Sequence, residues 1–128
     1  MPQGRLTRIQ ERILHALAGM SPPWTLTGGG ALAGFHTAHR STRDLDLFWR
    51  NRARLEDLPA QVRERLVEAG LEVSDSRTAP SFHRLNVARG SETCLVDLVS
   101  EPGPPLARPD RVHLDDREIA IDSRHEIL

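Results

Sequence analysis

Lysine is absent from all 128 residues, so each of the 17 basic side chains is an arginine. Arginine suits bidentate contacts to phosphate, although a wholesale lack of lysine reads first as a mark of genome composition. Cysteine is nearly absent too. Cys94 stands alone, which excludes an intrachain disulfide framework and makes a reducing cytoplasm the expected home. No apolar run reaches membrane-spanning length and the N-terminus lacks a signal-peptide pattern, so no membrane association is expected. Excess charge of one sign is missing as well. A net charge of −1 argues against a non-specific nucleic-acid coat, which would be strongly basic. Many arginines nevertheless gather between Arg40 and Arg65, leaving room for a local basic groove.

What is present is enough for one domain spanning 1–128 with a modest core. Leu6, Ile9, Ile13, Leu14 and Leu17 recur at helical spacing, and Gly19 followed by Ser-Pro-Pro stops that helix. Trp24 to Thr27 reads as a short strand. Gly28 to Gly30 turn it into a second helix that contains Ala31, Leu32, Ala33 and Phe35. Asp44 to Trp49 is a strand, and Leu58 to Ala69 a helix ended by Gly70. Then the period changes. Leu71–Val73, Phe82–Val87 and Thr93–Val99 alternate or run apolar with no helix between them, which predicts an antiparallel meander. EPGPPLARPD reads as a proline-rich loop, Asp115–Asp116 as a turn, and Arg117 to Ile121 as a last strand.

The glycine turn admits two readings. Gly28-x-Gly30-x-x-Ala33 fits the dinucleotide fingerprint. Two features count against it: Asp44 begins its strand instead of ending it, and the segment 71–99 leaves no room for a helical crossover. The other reading uses the aspartates. Side chains at i and i+2 of a strand share a face, roughly 7 Å apart at Cα, so Asp44 and Asp46 can converge on a cation while Leu45 and Leu47 face the core. Two adjacent carboxylates repel, and an oxygen-loving divalent ion relieves them. The glycine N–H groups at a helix N-terminus bind phosphate oxygens. A metal clamp beside a phosphate cradle is equipment for phosphoryl or nucleotidyl transfer.

A third carboxylate is needed on a neighbouring strand, and Asp97 in "TCLVDLVS" is the candidate. Alone, it could equally be a surface position on an edge strand. Beside an upstream D-x-D, its cost of burial is better explained by a metal.

These residues resemble the DNA polymerase β-type nucleotidyltransferase superfamily, and "LTGGGALAGFHTAHRSTRDLDLF" resembles its AbiEii/AbiGii-type toxin nucleotidyltransferases. Their pattern is Gly-Gly-Thr-Ala-Leu followed by Arg-x-Ser/Thr-x-Asp-Ile/Leu-Asp. Gly28, Gly29, Ala31 and Leu32 match, as do Arg40, Thr42, Asp44 and Asp46; Gly30 replaces the threonine. The likeness is strongest over 24–50 and extends to Phe82–Val99. It implies an α/β (α+β) fold with a mixed, largely antiparallel sheet flanked by helices. It also implies Mg²⁺ (or Mn²⁺) and an NTP whose nucleotide passes to an acceptor, tRNA or another RNA being favoured, with an antitoxin protein as partner.

Chemistry then assigns roles. Asp44, Asp46 and Asp97 are the expected metal ligands and catalytic carboxylates, with Asp97 assisting deprotonation of an acceptor hydroxyl. Gly28, Gly29 and Gly30 are expected to bind phosphate, with Arg40 and Thr42 beside the D-x-D. Arg40 could equally brace the loop, and Arg84 in "FHRLNV" could reach the triphosphate or be a surface charge. His83 reads as a strand surface residue, Cys94 as a small buried hydrophobe, and His36 and His39 as a helix end. No closely spaced Cys/His set suggests zinc. An alternative function is a degenerate member that binds nucleotide or a partner without turnover.

The end of the chain raises one more expectation. In "DSRHEIL", Asp122 or Ser123 reads as a helix N-cap and His125 to Leu128 as only a first turn. In proteins resembling this one, that helix carries a triphosphate-binding lysine and leads into a helical C-terminal half. Either Arg124 or another arginine takes that role, or the chain lacks that half; the second is the expectation.

Overall fold

A computed structural model describes residues 6–27, 44–103, 110–114 and 116–121. The glycine turn, the helix expected after it, His36, His39, Arg40, Thr42, Arg124 and the chain end after Ile121 lie outside the described residues. The elements in order are α1 (Arg8–Leu17), β1 (Thr25–Thr27), β2 (Asp44–Arg50), α2 (Leu58–Glu68), β3 (Glu72–Ala79), β4 (Phe82–Arg89), β5 (Glu92–Glu101), β6 (Asp110–Leu114) and β7 (Arg117–Ile121).

Helix α1 starts at a capping box. The Gln10 amide donates to Thr7 Oγ1 at 3.2 Å, and the Thr7 amide donates to Gln10 Oε1 at 2.8 Å. Its stripe of Ile9, Ile13, Leu14 and Leu17 is fully buried, as are Leu58, Val62 and Leu66 of α2. Gly19 and Gly70, at φ +82° and +87°, let the chain leave the two helices through the left-handed region. Two indoles lock the return from α1: Trp24 Nε1 donates to Leu17 O and Trp49 Nε1 to Pro22 O, both at 2.9 Å.

Among the described residues, seven strands form one mixed sheet in the order β3-β4-β5-β2-β1-β7-β6. Among the described strands, β2–β5 and β1–β7 pair in parallel and the other four pairings are antiparallel. The antiparallel pairing of β1 with β2 excludes the dinucleotide reading, because a Rossmann unit joins parallel strands. Helices α1 and α2 bury their apolar stripes in one cluster with Leu26, Leu45, Leu47, Trp49, Leu85, Val87, Cys94, Val96 and Leu98. Period-2 alternation therefore turns Asp44, Asp46, Arg84 and Asp97 to the opposite face. Among the described residues, no helix is long and apolar enough to cross a membrane.

Two elements differ from expectation. The third strand runs to Ala79, well past Val73, and β6 occupies a stretch where no strand is expected. Both are polar edge strands: nearly all of β3 is exposed, and β6 alternates exposed with half-buried residues.

Candidate active site

Strand register assembles the site. Asp46 lies opposite Asp97 across the parallel β2–β5 pair, and Asp97 lies opposite Arg84 across the antiparallel β4–β5 pair. On the other side, Thr27 of β1 pairs with Asp46. One row thus crosses four strands on the face away from the helices: Arg84, Asp97, Asp46, Thr27. Asp44 lies two residues before Asp46 and shares that face.

Asp97 is buried, with 8% of its surface exposed. Its flanking residues Val96 and Leu98 face the core, whereas its own carboxylate meets Arg84 in a fork. Arg84 Nε donates to Oδ1 at 2.7 Å and an Nη to Oδ2 at 3.0 Å. The guanidinium also sits 5.8 Å from the centroid of the Phe82 ring. This bond to Asp97 holds Arg84 above its usual pKa.

Asp46 is the strained member of the row. Burial, then the nearby charges of Asp97 and Asp44, and a hydrogen bond with the Asp97 carboxyl push its pKa from 3.8 up to about 6; Arg84 only partly opposes this. The cluster is short of positive charge around Asp46. Behind it, burial and the same three aspartates push the Cys94 thiol up to about 12, which fits an inert core residue.

Carboxylate oxygens alone are the donor set a hard divalent cation takes, and the raised pKa of Asp46 marks a place where such a cation would be stabilised. The side chains fit an ion in kind. As they stand, no three His, Cys, Asp or Glu side chains among the described residues are arranged to hold one, and both oxygens of Asp97 are engaged by Arg84.

Most of the chain, residues 12–122, matches the family described as nucleotidyl transferase AbiEii toxin, type IV TA system. The chain belongs to this family. The AbiEii chain resembles JHP933 from Helicobacter pylori with a TM-score of 0.68 at 17% identity, covering 94% of this chain and 51% of that one. It also resembles a candidate nucleotidyltransferase from H. pylori with a TM-score of 0.64 at 17% identity, covering 94% and 53%. At such identity the likeness is one of fold. The chain spans about half the length of both structures. No curated protein matches it.

Other residues fall outside the row. His83 is buried, not a surface residue: it alternates with Leu85 and Val87 and so points inward, where Nε2 meets Asp75 Oδ1 at 2.9 Å. That period was readable in "FHRLNV". Arg63 of α2 reaches the same Asp75 oxygen at 2.6 Å and donates to Val73 O at 2.9 Å, tying α2 to β3. A cavity of about 690 Å³ lies beside this cluster, lined by Leu55, Pro59, Arg63, Asp75 and His83 among others, and includes none of the aspartates of the row. Sequence reasoning missed Thr27, which is buried beside Asp46; its place just before the glycines was the available signal.

Proposed function

We propose that this AbiEii-family chain is a metal-dependent nucleotidyltransferase that moves a nucleotide from an NTP to an acceptor, with tRNA or another RNA favoured. The observation that carries the reading is the register of Asp46 with Asp97, with Asp44 on the same face, in a cluster short of positive charge. Asp44, Asp46 and Asp97 would hold Mg²⁺ or Mn²⁺. A divalent ion there supplies charge neutralisation of the triphosphate and of the leaving pyrophosphate. Asp97 would orient the acceptor hydroxyl and accept its proton. Gly28, Gly29 and Gly30, directly after β1, would donate backbone N–H groups to phosphate, with Arg40 and Thr42 alongside. The type IV toxin–antitoxin family supports an antitoxin as protein partner and a cytoplasmic setting.

The second reading is a family member that binds nucleotide or a partner without turnover. One observation favours it: both Asp97 oxygens are held by Arg84. An α-³²P-labelled NTP incubated with total RNA and with protein, with and without EDTA, separates the two. Label entering RNA and abolished by EDTA is the expected result. Binding without label transfer to any acceptor supports the second reading.

A further inference from the structure

We propose that Arg84 is a resident counter-cation that keeps metal off Asp97 until the phosphates of a nucleotide draw its guanidinium away. Metal binding and nucleotide binding would then be coupled through one side chain. The inference rests on the reading of the aspartates as a metal site and adds its regulation.

The geometry distinguishes the mobile partner from the fixed one. Asp97 is held in the middle of β5 with its side chain 11% exposed, whereas the Arg84 side chain is 35% exposed and projects from β4. The two-pronged contact takes both carboxylate oxygens, so a cation that needs either must displace the guanidinium or bind beside it. Arg77 of β3 lies directly across from Arg84 on its other side, and a like charge there disfavours retreat towards the sheet edge. A phosphate group is a destination of the right chemistry, since the guanidinium fork matches phosphate oxygens as well as carboxylate. The row places Arg84 one strand beyond Asp97, on the face shared with Asp44 and Asp46. By linkage, a ligand that removes Arg84 from Asp97 raises metal affinity, and metal raises the affinity for that ligand by the same factor.

The test is nucleotide-free Mn²⁺ binding by the full 128-residue chain, read as loss of the free-ion electron paramagnetic resonance signal. Arg84→Gln should bind Mn²⁺ about tenfold more tightly than wild type, because one opposing charge at contact distance is gone. Arg84→Lys, which keeps the charge, should stay near wild type. The gain should vanish when Arg84→Gln is placed on Asp97→Asn. Damage to the fold lowers affinity, so a tighter site is not a by-product of misfolding. Unchanged or weaker binding in Arg84→Gln, with wild type binding Mn²⁺ normally, overturns the counter-cation role and leaves the metal site standing. Absence of Mn²⁺ binding in every variant, even with a non-transferable NTP analogue, overturns both. The wild-type chain gives an independent readout: the Arg84 Nε–H resonance should shift when inorganic triphosphate is added without metal. A resonance that does not move contradicts the proposal.

Discussion

Asp46 shows how a residue that is unremarkable in composition acquires chemistry from its neighbours. Its carboxyl lies at about 6 because burial and two other aspartates penalise its charge. A raised folded-state value means that protonation stabilises the fold. That stabilisation is complete below the ordinary 3.8 and is lost as pH rises through about 6. Asp46→Asn should therefore stabilise the metal-free protein by about 1 kcal/mol at pH 8, after allowance for solvent screening, and change little at pH 4. Urea melts in EDTA at the two pH values check this; an equal effect at both would exclude charge as its source. The D-x-D and Asp97 were legible as sequence because an aspartate in an apolar run is costly. The Arg84–Asp97 fork was not. Alternation in "FHRLNV" gives the face of Arg84, but its partner depends on the register of β4 against β5, which no local pattern encodes.

At the scale of elements, strongly apolar segments read clearly and polar edges did not. Helix α1, β2 and β5 announce themselves through buried stripes with periods of 3.6 and 2. Strands β3 beyond Val73 and β6 have one sheet neighbour each and little to bury, so the main-chain ladder defines them instead of side-chain pattern. The α1–β1 connection depends on a different device, the two indole donors. Trp49→Phe keeps the ring in the core but leaves Pro22 O without its bond and a small void, and should cost about 2 kcal/mol. A chemical-denaturation midpoint measures it. A cost near zero would mean that solvent replaces the bond and the core closes around the ring.

On the scale of the whole molecule, the sheet divides the labour. Among the described residues, α1 and α2 pack on one face, which carries the core, and the other face carries the row of charged side chains. The chain corresponds to about half of each structural relative.

Transfer by Asp46→Asn tests the central claim most directly, because one substitution separates stability from function. The variant should lose at least about a hundredfold in EDTA-sensitive nucleotide transfer, having given up a carboxylate proposed to hold the ion. Its metal-free melting temperature at pH 8 should be unchanged or higher. Wild-type transfer by a well-folded Asp46→Asn protein would contradict the assignment of this carboxylate row as the catalytic metal site.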